Sequence, residues 1–216
     1  MMKPIIPSSL LLALLLSPMI LRAQGNYEID VIGLVTSYKK VNVESAGNSG
    51  EVGPKFGPAA GFVIGQSIGD HWGGEFRYIY FKNDIELSSA STSTEFSAES
   101  HAVHYDVLYY FSDLDARVRP YVAIGGGVKI FRGTGQEQAF QPLSDLALLT
   151  KTTQTVPVGD VGFGVKVRVG SGGMFRIEFR DYISPVPDEI IAESLDSKIG
   201  NLLHHFAPLF GFTWMF

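Results

Sequence analysis

His205-Phe-Ala-Pro-Leu-Phe-Gly-Phe-Thr-Trp-Met-Phe216 closes the sequence, and its spacing decides what the fold can be. Phe206, Pro208, Phe210, Phe212, Trp214 and Phe216 occupy every second position, with His205, Ala207, Gly211 and Thr213 between them. A period of two is that of a β-strand, so one face of this segment is aromatic and the other is small and polar. The same alternation returns upstream. Tyr27, Ile29, Val31, Gly33 and Val35 alternate with Glu28 and Asp30, and Trp72, Gly74, Phe76, Tyr78 and Tyr80 alternate with Glu75, Arg77 and Ile79. Val103, Tyr105, Val107, Tyr109 and Phe111 stand opposite His104, Asp106 and Tyr110. Val161, Phe163, Val165, Val167 and Val169 stand opposite Asp160, Lys166 and Arg168, and Phe175, Ile177 and Phe179 opposite Arg176, Glu178 and Arg180. A weak glycine- and alanine-rich segment, 58–67, and a glycine-rich one, 120–131, bring the total to about eight strands.

The connections between these strands alternate in length. Those at about 39–57, 82–100, 133–155 and 184–203 are long, and those at about 68–71, 112–119 and 170–173 are short. Transmembrane β-barrels keep this rhythm, with short periplasmic turns and long external loops, whereas a soluble meander has no reason to. The expected fold is therefore all-β: an antiparallel up-and-down transmembrane barrel with four long extracellular loops.

Composition agrees. The chain has 216 residues, a formal charge of −5, no cysteine, 15 phenylalanines, 9 tyrosines and 24 glycines. A nucleic-acid binder would be basic, a disordered chain would be poor in aromatics, and without cysteine there is no disulfide or thiolate metal site. Residues 1–23 differ from the rest: Lys3 precedes an apolar run from Ile5 to Leu21, and Ala23 offers a small residue for cleavage. This reads as a secretory signal peptide; an N-terminal membrane anchor is the alternative, although the run is short for one. Residues 24–216 then form one barrel domain. No later stretch approaches the ~20 apolar residues of a membrane helix, so an exported chain of this kind can enter a membrane only as a closed barrel, in which every backbone group is paired.

Volume decides which face points outward. An eight-stranded interior is barely wide enough for side chains to fill it, and the aromatic face carries Trp72, Phe76, Tyr105, Tyr109, Phe163, Phe210 and Trp214 among others. Turned inward these would overpack the lumen; turned outward they form a lipid-contacting band. The opposite face then supplies an interior charge network of Glu28, Asp30, Glu75, Asp106, Asp160 and Glu178 with Arg77, Lys129, Lys166, Arg168, Arg176 and Arg180, Lys129 having the least certain parity. Near-balance of charge is expected, because unpaired buried charge is expensive. Such a network is either a structural plug or a gate whose ion pairs exchange partners.

Three segments carry a family likeness. The terminal run, with Phe210, Phe212, Trp214 and Phe216, resembles the C-terminal signal by which outer-membrane barrels are recognised by their assembly machinery. The run Arg119-Pro-Tyr-Val-Ala-Ile-Gly-Gly-Gly-Val128 resembles the fifth strand, and Phe175-Arg-Ile-Glu-Phe-Arg-Asp-Tyr182 the seventh, of the outer-membrane β-barrel domain family, the small OmpA/OmpX-type barrels. The likeness covers the mature chain in layout and its last half in motif. It implies a bacterial outer-membrane location, with membrane lipid and the barrel assembly machinery as partners. It implies no single function, because the family is diverse. Larger members append a peptidoglycan-binding domain, a role not implied here because the barrel ends the chain.

Chemistry beyond a barrel has weak support. Ser100, His104 and Asp106 form the best nucleophile–base–acid grouping, but Ser100 and His104 are four residues apart on a strand, ~13 Å. His204 and His205 are adjacent and point to opposite faces, and His101 and His104 also differ in parity, so neither pair can share an ion. Gly125 to Gly127 form no phosphate-binding loop, and are read as sheet bending or as space for large lumen side chains. The polar tip Ser88–Thr94 of the second long loop is expected to be mobile. Leu143, Leu146, Leu148 and Leu149 in the third, and Ile190, Ile191, Ile199, Leu202 and Leu203 in the fourth, point to loops packed on one another or to a partner-binding surface. The sequence thus predicts a monomeric, non-enzymatic barrel without cofactor or nucleic-acid partner. Its role is structural or surface-interacting, with a possible ligand at the loops; the alternative is a narrow gated porin-like channel.

Overall fold

The computed structural model describes residues 27–45, 47–138, 140–194 and 197–216. The expected signal peptide, 1–23, lies outside them. Among the described residues there are fifteen strands and no α-helix. Eight strands close the barrel: β1 (Tyr27–Lys39), β4 (Gly57–Ile68), β5 (Trp72–Lys82), β8 (Ala98–Tyr110), β9 (Val118–Gly133), β11 (Thr153–Val169), β12 (Gly173–Pro185) and β15 (Leu202–Met215). Each pairs antiparallel with its neighbours in chain order, and β15 closes onto β1 from Glu28↔Met215 to Lys39↔His204. No edge is left open, so every ladder has a partner on both sides. The segment read as a weak second strand is a full twelve-residue member, β4, because a closed barrel supplies partners on both flanks that local propensity does not register.

The short turns are tight. Gly69 and Gly170 sit in them at φ of 67° and 78°, in the left-handed region where a side chain would clash. The first short turn follows Ile68 and the third follows Val169, close to the positions read from sequence.

Strand alternation divides the side chains cleanly. Phe210 is 63% exposed and Trp214 50%, while Arg77 and Arg180, on the opposite face, are fully buried. The exposed face is an apolar belt edged with aromatic rings near the short-turn end, among them Tyr27, Trp72, Tyr109 and Trp214. At the long-loop end Lys39, Lys82, Glu99, Arg132, Asp181 and His204 take over the outward positions, and the belt stops there. His204 Nδ1 lies 2.8 Å from Asp181, and Arg132 lies 3.6 Å from Glu99.

The long connections are not irregular. They contain β2 (Val41–Ser45), β3 (Asn48–Pro54), β6 (Ile85–Ser89), β7 (Thr92–Phe96), β10 (Ala147–Leu149), β13 (Ile191–Glu193) and β14 (Ser197–Ile199). These assemble into a five-stranded sheet, β14-β2-β3-β6-β7, and a two-stranded ribbon, β10-β13. The Ser/Thr-rich tip, expected to be mobile, is instead the β6–β7 hairpin, turning at Ala90 with φ 49°. Its regularity comes from outside its own sequence: Ile85, Leu87 and Phe96 are buried, and β6 pairs laterally with β3.

Candidate functional site

The lumen is built in storeys. Lowest, at the short-turn end, Arg119 lies with its guanidinium 3.8 Å from the centre of the Tyr110 ring and donates to the Asp70 carbonyl at 3.0 Å. Arg168 donates to the Leu114 carbonyl at 2.9 Å and to Met215 Sδ. It was assigned to the charge network, yet among the described residues it contacts no carboxylate. Its position at the mouth lets it reach the turn 111–117 instead.

The next storey is the charged plug. Arg77 from β5 donates through both Nη atoms to Glu178 on β12, each at 2.8 Å, and lies within 2.6 Å of Glu75 and 2.9 Å of Asp106. Arg176 engages Glu75, and reaches Asp30 at 2.9 Å. Arg180 is held by Glu178, Asp160 and Asp106, the last at 2.8 Å. Lys166 bonds Glu28, Glu75 at 3.0 Å and the Tyr110 hydroxyl at 2.9 Å. His104, read from sequence as the base of a Ser100–His104–Asp106 grouping, belongs here: its Nδ1 lies 2.8 Å from Asp106 and 3.2 Å from Asp160. Ser100 stands four residues further along β8, opposite Phe131 rather than Gly127, so it is not brought to the imidazole. The Tyr121 hydroxyl also donates to Glu178.

Ten of the twelve charges assigned to this network, all but Arg168 and Lys129, are thus joined in one cluster. Forked guanidinium–carboxylate geometry explains why three of its four cations are arginines. Two triads, His104–Asp106–Asp160 and Glu28–Asp30–Glu75, bring three donor atoms within 4.8 Å of one another. Each of their carboxylates already lies against Arg77, Arg180, Lys166 or Arg176, so a metal would compete with a buried cation.

Room for these side chains comes from glycines on adjacent strands. A Cβ on Gly125 would overlap the Asp106 carboxylate and come within 2.8 Å of Asp160; one on Gly164 would come within 2.6 Å of the Tyr121 hydroxyl. Gly125→Val should therefore destabilise the barrel by about 1–3 kcal/mol, the usual cost of overpacking. The urea midpoint of the refolded variant measures it, and a midpoint equal to that of the parent would show that the plug tolerates displacement.

An apolar storey of Ile32, Leu34, Val63, Ile79, Phe81, Ala102, Val158, Tyr182, Ala207 and Leu209 overlaps the plug, where Val63, Leu209 and Ala207 are the ladder partners of Arg77, Glu178 and Arg180, and continues toward the long loops. Higher still, Lys129 meets Tyr38 and His205. Lys129 faces inward, but its partners are Tyr38 and His205 and not the carboxylates it was grouped with. The loop strands close the top over a core that includes Val43, Val52, Ile85, Leu87, Leu146, Leu149, Ile190 and Ile191. Leu143 and Ile199 pack against it, whereas Leu148 and Leu202 remain exposed. Phe131 and Leu203, from the ends of barrel strands, join the same core.

No protein-family model and no curated protein matches the sequence. Solved structures do match in shape. Neisserial surface protein A superposes with a TM-score of 0.56 at 14% identity, covering 89% of this chain and 98% of that one. The outer membrane protein OprG of Pseudomonas aeruginosa superposes with a TM-score of 0.57 at 12% identity, covering 89% and 96%. This chain has the fold of the small eight-stranded outer-membrane β-barrels. In a barrel of this type the outward apolar belt is the lipid face; Phe210, Phe212, Trp214 and Phe216 lie on that belt.

Several members of the site were not assigned from sequence. Arg119 was counted within a turn, 112–119, although β9 begins at Val118. Its alternation with Val118 and Pro120 was the available signal. The packing of the third and fourth loops on one another agrees with the apolar residues read there, but the strands of the cap escaped because none exceeds seven residues, too short for periodicity to speak.

Proposed function

We propose that the protein is a non-enzymatic barrel of the bacterial outer membrane, sealed along its lumen, whose working surface is the folded extracellular cap. The observation that carries this reading is the succession of three closures: an ion-paired plug, an apolar storey and a hydrophobic loop core. An ion crossing the barrel would have to break the first, desolvate through the second and part the third. The leader, residues 1–23, would direct export, and the aromatic face of β15 ending at Phe216 would present the assembly signal. With the N-terminus of β1 at the short-turn end, all four long loops lie outside the cell. The two structural relatives are described as a surface protein and an outer membrane protein, in keeping with this placement.

A gated channel is the second reading, and one feature favours it: Arg77, Arg176 and Arg180 each lie within 4 Å of three or more carboxylates, so partners are at hand for exchange. Planar-bilayer recordings at pH 7.5 separate the two. The sealed barrel gives no stepwise conductance; regular steps would establish the channel.

A further inference from the structure

Between the apolar storey and the cap the lumen holds a cation outside the plug. Lys129 Nζ lies 2.9 Å from His205 Nδ1 and 3.0 Å from the Tyr38 hydroxyl, and Lys129 and His205 are each 1% exposed. The rings of Phe81 and Phe131 stand 4.7 and 4.8 Å from Nζ. Among the described residues neither Lys129 nor His205 forms an ion pair; the carboxylates of the lumen are engaged in the plug below.

Two nitrogens at this separation share one hydrogen. An ammonium can donate to a neutral imidazole, an imidazolium to a neutral amine, or both groups can be neutral, so the hydrogen-bonded pair carries at most one positive charge. Aromatic faces stabilise one such cation. A second proton puts two cations in contact where no carboxylate offsets them, and they must separate. The surrounding groups do not relieve this. Tyr38 from β1 stacks on the imidazole at 3.7 Å, and Tyr182 from β12 has its ring 5.7 Å away; both are neutral at these pH values. Asp181, also on β12, faces outward to His204 and accepts only the backbone N–H of His205. His104 on β8 lies below, beyond Tyr182, already between two carboxylates. β4, β5 and β11 contribute no titratable side chain to this storey.

The pair is coupled to the cap through the chain. Phe131 is two residues beyond Lys129 on β9, Leu203 two residues before His205 on β15, and both belong to the cap core. We propose that Lys129 and His205 form an acid-sensitive latch under the extracellular cap, closed while the two share a single proton and released when they take up a second. Imidazole is the group that ordinarily titrates between pH 5 and 8, so release belongs to mild acid. The latch rests on the sealed-barrel reading, whose seal it regulates.

Hydrogen exchange of β2 and β6 tests it, with the protein refolded into phosphatidylcholine vesicles and rates at pH 7.5 and 5.0 corrected for intrinsic chemistry. The corrected rate should rise by about tenfold or more at pH 5.0, the response of one proton taken up over one to two pH units. His205→Gln keeps an acceptor for Lys129 without titrating, and Lys129→Met removes the neighbouring cation while leaving the imidazole buried. His205→Gln should lose the rise and Lys129→Met should reduce it, and either alone suffices if the other does not refold. An unchanged rate in the parent protein, or an equal rise in the variants, overturns the latch. Conductance at pH 7.5 would count against the seal alone, since the latch is read from the acid-dependent difference in exchange.

Discussion

Arg77→Met is expected to lower the stability of the folded barrel by about 3–5 kcal/mol, the usual cost of stranding buried charge. Arg77 is fully buried and touches Glu75, Asp106 and Glu178 from three strands. The plug has six carboxylates, Glu28, Asp30, Glu75, Asp106, Asp160 and Glu178, against the four cations Arg77, Lys166, Arg176 and Arg180, with His104 between two of the acids. Removing a cation deepens that surplus, while methionine roughly preserves the volume, so the loss reads charge rather than packing. Glu178→Gln acts the other way on the balance. Arg77 and Arg180 retain Asp106, and Arg176 retains Asp30 and Glu75, so this change should cost less. Ile177→Ala, beside it on the lipid face and 51% exposed, should cost least, because lipid fills the gap. Urea midpoints of the three variants in the same detergent give the order. If Ile177→Ala proves the most damaging, the inward and outward faces of β12 are not what hold this barrel together.

Leu87→Asp should open the cap and leave the barrel closed. Leu87 is fully buried, pairs across to Val52 and Thr94, and has only apolar neighbours in its cluster. A carboxylate there has no partner and costs several kcal/mol unless the cluster opens to water. The barrel ladders do not pass through β6, and the apolar storey lies below it, so unfolding should stop at the cap. Trypsin reads the difference at Lys40, Lys55 and Lys198, all in cap segments. Cleavage should accelerate by at least about tenfold, the factor that corresponds to 1.4 kcal/mol of lost protection, while the heat-modifiable band of the folded barrel persists. Ser88→Asp, next in the same strand and turned to the other face, is the control. Equal cleavage of the two variants would mean that the cap is not held by this core.

Alternation in the sequence carries a great deal of the outcome, because a period of two is local: neighbouring Cβ atoms point to opposite faces whatever the rest of the chain does. From it follow the eight barrel strands, the inward assignment of Arg77, Glu178 and Arg180, the outward assignment of Phe210, Phe212 and Trp214, and the opposition of His204 to His205. The rhythm of long and short connections follows as well, since it is counted along the chain.

Period two states a face but not a height. The height of each side chain depends on the stagger of eight strands around a closed barrel, and only closure fixes that stagger. This is why Arg168 and Lys129, correctly turned inward, lie apart from the carboxylates they were grouped with, one at the mouth and one above the apolar storey. It is also why His104 meets Asp160, fifty-six positions away, rather than Ser100. The cap is decided in the same manner. β2, β3 and β6 become a sheet by pairing across separate loops, and Leu87 is buried only when Val52 pairs beside it and the rest of the cap core closes over it. By itself the sequence determined a lipid-facing belt around a charged lumen; the tertiary structure decided which charges meet and that the lumen is covered, because both depend on contacts between residues far apart in the chain.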